Sequence, residues 1–192
     1  APSSNGRDIS SYVIETSPDS SSWTTNSLTN ATTRFKQITG LTNGTPYYFR
    51  VYAINLAGNG SSSNVESAIP FTVPSAPTLY ITAGNTLVDL SWNAPANNGR
   101  NISSYIIEKS IDSSSWEYYS STNATTSFKT VTDLSNGTLY YFRVYATNLA
   151  GDGSSSNVVN EIPYTIPNAP TIGPAIGCNN HATVTWNAPS NN

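Results

Sequence analysis

A long internal repeat limits what this chain can fold into more than any other feature of the sequence. Residues 1–75 align with residues 94–168 at an offset of 93 without a gap, and 51 of the 75 positions are identical. A third copy begins at Ala169, where APTIGPAIGCNNHATVTWNAP matches APTLYITAGNTLVDLSWNAP of residues 76–95 with one extra residue. A period of 93–94 residues is too long for a solenoid unit and suits a small independent domain. The sequence therefore predicts tandem domains of one kind.

Short segments of alternating apolar and polar residues fill each period. In LVDLSW, residues 87–92, the apolar side chains of Val88, Leu90 and Trp92 occupy every second position, and YYFRVYA at 140–146 also presents two distinct faces. Turn sequences such as NNG, SNG and GDG separate these segments, and no segment shows the 3.6-residue period of an amphipathic helix. We expect an all-β fold in which each complete period forms a seven-stranded immunoglobulin-like β-sandwich.

The order and spacing of these motifs resemble the fibronectin type III domain, of the kind found in bacterial or viral extracellular proteins. The resemblance rests on Trp92 at the end of the second strand, Tyr105 in the third, and LSNGTLYYFRVYATNLAG at 134–151. It extends over essentially the whole chain. It implies core positions for Trp92 and for its third-copy equivalent, Trp186.

The same resemblance implies a tyrosine corner in each of the first two copies. Leu134 precedes Tyr140 by six residues, and Leu41 precedes Tyr47 by six. In such a corner the phenol bonds to nearby backbone and fixes the turn into the strand.

Assigning the family's strands A to G divides the chain unequally. Residues 1–70 are predicted to lack strands A and B, residues 76–162 to form a complete domain, and residues 169–192 to supply strands A and B alone; the linkers are 71–75 and 163–168. Because strand B carries the central Trp, neither partial domain can close a core by itself. Two interpretations stay open: a segment of a longer tandem array, or separate chains that lend strands to one another.

One strand departs from simple alternation. Phe128 precedes Val131 by three residues and Leu134 by six, whereas residues on one face of a strand are separated by even steps. We expect a β-bulge in this strand of each copy to bring all three side chains to the core.

The outward face of strand F, together with the neighbouring sheet edge that carries Trp116 and Tyr118, is a candidate contact surface. Tyr, Trp and Arg are enriched in binding hot spots, and the candidate residues are Tyr48, Arg50, Tyr52, Trp116, Tyr118, Tyr141, Arg143 and Tyr145. The alternative is a face of good strand formers with a cross-strand Arg–Glu pair worth ~0–1 kcal/mol. Trp116 and its counterpart Trp23 can stack on a sugar ring or pack against the sheet edge.

The linkers IPFTVPSAPT at 69–78 and IPYTIPNAPT at 162–171 are rich in proline, which favours extended backbone. Apolar residues alternate between the prolines, and they either wedge between successive domains or complete the last strand of the preceding domain. These residues are Phe71, Val73, Tyr164 and Ile166.

Composition gives no sign of catalysis, nucleic-acid binding or membrane insertion. Charged residues make up 10% of the chain, against about 25% in an average soluble domain, and the net charge is −3. No apolar run approaches the ~18 residues of a membrane helix. Cys178 is the only Cys and His181 the only His, which is a weak zinc signal. No catalytic site, metal site or cofactor is predicted, since no carboxylate pair or phosphate-binding loop stands out.

Low charge and few thiols favour an extracellular location: secreted, cell-surface or virion surface. Six Asn-x-Ser/Thr sequences are candidate glycosylation sites. They lie at Asn30, Asn43, Asn59, Asn101, Asn123 and Asn136.

The predicted function is therefore that of a non-enzymatic spacer, stalk or fibre shaft that assembles head-to-tail into filaments and supports adhesion. The expected partners are neighbouring repeats or other copies of the chain, joined by strand complementation or lateral packing, with glycans or a host surface protein as further candidates. Two alternatives stay open: linker modules of a secreted polysaccharide-degrading enzyme, and an adhesin module that binds a glycan or receptor.

Overall fold

The computed structural model describes residues 2–189, and every regular element within that range is a β-strand. The predicted all-β class is confirmed. The chain forms two compact units: the first runs to Thr72 and includes Asn97–Asn101, and the second comprises Val73–Ala96 and the residues from Ile102 onward. The three domain ranges drawn from the sequence stay a prediction.

The first unit contains a single antiparallel sheet. Its strands are β1 (Ser11–Ser17), β2 (Thr24–Asn30), β3 (Tyr47–Asn55), β4 (Gly58–Asn59) and β5 (Glu66–Ala68). The sheet order is β2-β1-β3, and both β4 and β5 pair with β3. No second sheet faces it within residues 2–72, and Val51 on its inner face is 37% exposed.

Two sheets make up the complete sandwich of the second unit. Its strands are β6 (Thr78–Gly84), β7 (Leu87–Asn93), β8 (Ser104–Ser110), β9 (Glu117–Asn123), β10 (Phe128–Val131), β11 (Tyr140–Asn148), β12 (Gly151–Asp152) and β13 (Val159–Glu161). One sheet has the order β10-β7-β6, and the other has the order β9-β8-β11 with both β12 and β13 on β11. β12 and β13 are two pieces of the seventh strand. Between them Ser156 keeps the edge bonded, because its backbone N–H donates to the Val144 carbonyl at 2.8 Å.

The core of this sandwich comes from side chains of both sheets. Leu79, Val88, Leu90 and Trp92 of β6 and β7 are at most 3% exposed, as their alternation predicts. They pack in one cluster with Tyr105, Ile107, Val131, Leu134, Phe142, Val144 and Ala146. Each large apolar side chain stabilises the fold by about 1.5–3 kcal/mol when it is fully buried. The β6–β7 hairpin is therefore an indispensable half of the core.

The third copy forms a hairpin of short strands. These are β14 (Thr171–Ile172), β15 (Ile176–Cys178), β16 (His181–Thr183) and β17 (Trp186–Asn187). β14 pairs with β17 and β15 pairs with β16, and this hairpin joins no larger sheet among the described residues. The prediction that Trp186 is a core residue is wrong for this chain: its side chain is 67% exposed because no facing sheet covers it.

The bulge expected around Phe128 is absent. β10 pairs with β7 in unbroken register from Phe128 to Val131, so the two residues lie on opposite faces. Phe128 is 66% exposed while Val131 is fully buried. Asp133 then adopts a positive φ of 62°, and this turn brings Leu134 to the core after the strand has ended.

The start of each predicted linker is tied to a tight turn of its own unit. The Pro70 carbonyl accepts a hydrogen bond from the Gly44 backbone N–H at 2.8 Å, and the Pro163 carbonyl accepts one from Gly137 at 2.9 Å. Both glycines have positive φ, 82° and 79°, a conformation that glycine adopts without strain. These bonds fit the interpretation in which the linkers complete the preceding strand.

Candidate contact surface

The outward face of β11 carries Tyr141, Arg143 and Tyr145 because the alternate residues of this strand are buried. Arg143 is opposite Glu108 of β8, and its Nε donates to Glu108 Oε2 at 2.5 Å. The Arg143 guanidinium carbon also lies 4.3 Å from the centre of the Trp116 ring. We call Trp116, Arg143 and Glu108 the second stack.

The first copy repeats this arrangement as the first stack, which consists of Trp23, Arg50 and Glu15. The Arg50 Nε donates to Glu15 Oε2 at 2.6 Å, and the guanidinium carbon lies 4.2 Å from the Trp23 ring centre. The cross-strand Arg–Glu pairs predicted from the sequence are confirmed. Each stack is built from one sheet and the loop at its edge, so it forms whether or not a second sheet is present.

The geometry of Trp116 matches the packing alternative more closely than the sugar-stacking one. The indole is half-buried and one of its faces lies against the guanidinium group. A cation–π contact of this kind contributes about 0.5–1 kcal/mol at an exposed site. The ion pair beneath it is partly shielded, with side-chain exposures of 29% for Arg143 and 16% for Glu108. Trp23 makes the same contact in the first copy.

Tyr145 and Tyr118 differ in how accessible their side chains are to a partner. Burial raises the pKa of the Tyr145 phenol, and the negative charges of Glu108 and Asp152 raise it further while Arg143 lowers it. Tyr145 and these three residues line a shallow depression of about 250 Å³. Tyr118, in contrast, is 64% exposed on β9 and is the most accessible aromatic of the candidate surface.

The two adjacent tyrosines of β9 have different environments because neighbouring residues of a strand point to opposite faces of the sheet. The β8–β9 register shifts between Ile107 and Glu108, so Tyr118 is opposite Glu108 on the outer face. Tyr119 packs against the core instead. The same shift occurs in the first copy between Ile14 and Glu15.

The remaining outer tyrosines, Tyr48 and Tyr52 on β3 and Tyr141 on β11, are half-buried. Tyr52 is opposite Val13, and Tyr48 is opposite Ser17. The structure thus brings the Tyr–Arg–Tyr pattern of each F-type strand onto one face.

Each corner tyrosine accepts a hydrogen bond from backbone shortly before it in the sequence. The Thr42 N–H donates to Tyr47 Oη at 3.1 Å, and the Ser135 N–H donates to Tyr140 Oη at 3.2 Å. The bond from Thr42 lowers the pKa of Tyr47. In both copies this contact holds the entry into the long strand.

Sequence reasoning missed one polar contact, between Asn157 and the backbone of Leu79. The Asn157 side chain bonds both backbone groups of Leu79: Oδ1 accepts from the Leu79 N–H at 2.9 Å, and Nδ2 donates to the Leu79 carbonyl at 3.0 Å. Asn157 thereby fixes strand β6 to the neighbouring edge. Its counterpart in the first copy is Asn64. The presence of Asn at this position in both copies is the sequence signal that could have singled out the two residues.

The six candidate glycosylation sites fall into two groups. Asn136 is held in place, because its Nδ2 donates to Asn85 Oδ1 at 2.9 Å and its Oδ1 accepts from the Thr86 N–H. The other five have exposed side chains: Asn30, Asn43, Asn59, Asn101 and Asn123.

The described residues contain no cluster suited to a metal ion. Cys178 and His181 face each other across the β15–β16 turn, and both are exposed. Residues 2–189 hold no group of three or more His, Cys, Asp or Glu side chains placed to bind a metal. Nor does this part of the chain include a helix long and apolar enough to cross a membrane.

The model of the fibronectin type III domain matches residues 1–69 and 73–162. The chain belongs to the fibronectin type III family. Its repeats are 32% identical to human myomesin-2 over 145 residues, which cover 71% of this chain and 10% of that protein. They are also 32% identical to chicken protein sidekick-1 over 174 residues, which cover 85% of this chain and 8% of that protein. The chain thus spans about a tenth of the length of these two relatives.

Two solved structures of multidomain chains match this chain at low sequence identity. The chicken CNTN1 FN1-FN3 domains match with 21% identity and a TM-score of 0.46, covering 96% of this chain and 67% of that one. Domains A168-A170 of titin match with 20% identity and a TM-score of 0.49, covering 81% of this chain and 59% of that one. The family model matches the chain twice, so the chain carries fibronectin type III domains in tandem, and the second match contains the closed β-sandwich.

Proposed function

We propose that these fibronectin type III repeats act as a non-enzymatic structural spacer within a larger protein. The observation that carries the proposal is the duplication of one surface: the first and second stacks have the same residues and nearly the same distances. Repetition of one outer surface in neighbouring modules suits a spacer. The match to myomesin-2 and sidekick-1, of which this chain spans a small part, supports a structural or adhesive role.

The proposal includes an extracellular location on a bacterial or viral surface and head-to-tail assembly of the modules. Low charge, at 10% of residues, and a single thiol support the location. Five exposed candidate glycosylation sites are compatible with it. The match to fibronectin type III modules supports a non-enzymatic role.

Single-molecule extension tests the spacer role. The 87 residues at 76–162 form one closed core. A pulled chain should therefore release them in one cooperative event of roughly 300 Å, at about 3.4 Å per residue. A chain that lengthens gradually under load, with no such event, would contradict the proposal.

A second candidate is adhesion through the outer face, and the exposure of Tyr118 favours it. Glycans and a host surface protein are the candidate partners. Binding to a glycan array or to host-cell surfaces should be lost in Tyr118→Ala and weakened in Trp116→Ala. Phe128→Ala is the matched control because Phe128 is an aromatic of similar exposure on the other sheet. Equal loss in all three variants would exclude a specific role of this face.

A further inference from the structure

The loop after β9 is organised by the side chain of Asn123, the last residue of that strand. Asn123 Oδ1 accepts hydrogen bonds from the backbone N–H groups of Thr125 at 3.1 Å and Thr126 at 3.0 Å, and from both threonine hydroxyls at 2.9 Å. Because a backbone N–H can only donate, these bonds identify the oxygen end of the Asn123 amide. The other end, Nδ2, lies outside this network.

The first copy contains the same loop after β2. The sequence NATT occurs at 30–33 and again at 123–126. Asn30 Oδ1 accepts from the N–H groups of Thr32 at 3.0 Å and Thr33 at 2.9 Å, and from their hydroxyls at 2.9 Å and 2.8 Å. Both asparagines have exposed side chains, and within residues 2–189 their Nδ2 groups bond to no other residue. Each loop thus holds one amide oxygen and presents one amide nitrogen to solvent.

The position of these two asparagines leaves room for a bulky group. β9 is the outermost strand of its sheet, and β2 is the outermost strand of its own. A glycan on Asn needs such a surface position. A sugar attached at Nδ2 of Asn30 or Asn123 would also leave the four hydrogen bonds to Oδ1 in place, so the loop keeps its structure.

Asn43 and Asn136 are the other aligned pair of Asn-x-Thr sequences, and Asn136 differs in its contacts. Its Nδ2 donates to Asn85 Oδ1 at 2.9 Å, and its Oδ1 accepts from the Thr86 N–H. A glycosyl group on Asn136 would therefore have to enter beside Asn85, on a nitrogen that is already engaged.

The remaining two Asn-x-Ser/Thr sequences occur in one copy only. Asn59 aligns with Asp152, and Asn101 aligns with Asp8. Within residues 2–189, the position of Asn30 and Asn123 is therefore the one that recurs in both copies with an unengaged Nδ2.

We infer that Asn30 and Asn123 are sites of N-linked glycosylation, with one glycan on the same loop of each repeat. In the reaction, Nδ2 forms a bond to the anomeric carbon of a phosphate-activated sugar. The bond from that carbon to the phosphate oxygen breaks, the phosphate group leaves with the electron pair, and one Nδ2 proton passes to a base. The inference rests on the proposed extracellular location, which brings the chain into contact with glycosylating enzymes.

The site itself is tested on the purified, folded chain. The probe is a soluble glycosyltransferase that moves glucose from UDP-glucose to Asn-x-Ser/Thr sequences, and peptide mass mapping gives the initial rate at each asparagine. Synthetic peptides of the same sequences supply the rate without folded structure. The ratio of the folded-chain rate to the peptide rate should be similar for Asn30 and Asn123. It should be roughly fivefold lower for Asn136, because Nδ2 must first lose a hydrogen bond.

Asn85→Ala is the matched variant, because it keeps the Asn136 sequence and removes the side chain that is bonded to Nδ2. It should raise the ratio at Asn136 to near that of Asn123 and leave Asn123 unchanged. The inference would be overturned by a folded chain in which Asn30 or Asn123 resists modification while its peptide is modified. Equal ratios at Asn123 and Asn136 in the parent chain would overturn it too.

Glycopeptide mapping of the protein from its natural source then measures occupancy, and glycans are expected on both Asn30 and Asn123. Bare asparagines at these positions in a chain found outside the cell would overturn the inference and leave the spacer role intact. A chain found inside the cell would overturn the extracellular location instead, while the assay on the folded chain still decides whether the two sites accept a sugar.

Discussion

Val51 and Val144 occupy the same place in two copies of the heptapeptide YYFRVYA, yet Val51 is 37% exposed and Val144 is fully buried. The copies are identical at 51 of 75 aligned positions, so the difference does not come from the strand that carries these residues. It comes from the β6–β7 hairpin, which faces Val144 and has no counterpart in residues 2–72. The burial of a side chain is here decided by a segment far away in the sequence.

Other features are the same in both copies because they are built within one sheet or one loop. The two stacks and the two corner tyrosines keep their contacts whether or not the sandwich is complete. Strand β10 shows the opposite behaviour: it forms against β7, and the corresponding residues 35–38 of the first copy form no strand. The comparison therefore separates local contacts from those that need the second sheet.

The largest expected difference lies between the two tryptophans of the B-type strands. Trp92→Ala should cost about 3–5 kcal/mol in the free energy of unfolding, which is a large fraction of the stability of a small domain. Trp186→Ala should change the stability of the monomer very little, since Trp186 is 67% exposed. Urea denaturation followed by circular dichroism measures both values. Equal losses would contradict the difference in burial.

A matched pair of valine substitutions tests the long strand itself. Val144→Ala removes buried methyl groups and should cost about 2 kcal/mol, while Val51→Ala should cost less than about 0.5 kcal/mol. The free energies of unfolding are compared at a concentration where the chain is monomeric. A large effect of Val51→Ala would contradict the difference in burial between the two valines.

The two asparagines provide a smaller contrast. Asn157→Ala should cost about 1–3 kcal/mol because the buried backbone groups of Leu79 lose their partner. Asn64→Ala should leave the monomer within about 0.5 kcal/mol of the parent chain. Thermal denaturation of the two variants measures both losses of stability. A larger loss in Asn64→Ala than in Asn157→Ala would refute the role assigned to Asn157.

The smallest expected effect on stability comes from the loops that precede β2 and β9. It should be the same in both copies. The backbone N–H groups of Ser115 and Ser114 and the Ser110 hydroxyl hold the pKa of the Asp112 carboxyl well below its usual range. Ser22, Ser21 and Ser17 do the same for Asp19. Since the folded-state pKa is depressed, the stabilisation is present above the ordinary Asp pKa of about 3.9 and is lost as the pH falls towards the lowered value.

A pH titration of the two carboxyl groups by nuclear magnetic resonance checks this prediction. Both should titrate below the usual range and together, because each loop contains its own donors. Asp112→Asn should remove the acid-dependent contribution from the second copy alone. A normal pKa for Asp19 beside a lowered pKa for Asp112 would show that the loop depends on the complete sandwich.

The sequence was sufficient to predict strands whose alternation is unbroken. Val88, Leu90 and Trp92 are all buried as expected, because in a regular strand the period of two alone assigns each residue to a face. Phe128 shows the limit of this reasoning. Its hydrophobicity suggested a core position and hence a bulge, but the strand is regular and Phe128 faces outward.

The contacts that were missed depend on distances between segments. A bulge lies instead in the β8–β9 pair, between Ile107 and Glu108, where the register skips Tyr119. Trp116 was assigned to a sheet edge or a sugar, and its actual neighbour is Arg143. Periodicity predicts the face of the sheet on which a residue lies. It does not predict which side chain of a neighbouring loop covers that residue.

Amide hydrogen exchange measured within a single chain tests the central claim most directly. The residues of β3 and β11 serve as matched pairs. The account predicts that the amides of Phe49, Val51 and Ala53 exchange much faster than those of Phe142, Val144 and Ala146, since only the second set belongs to a closed core. Equal protection of the two strands would contradict the claim that the β6–β7 hairpin decides which copy is a complete domain.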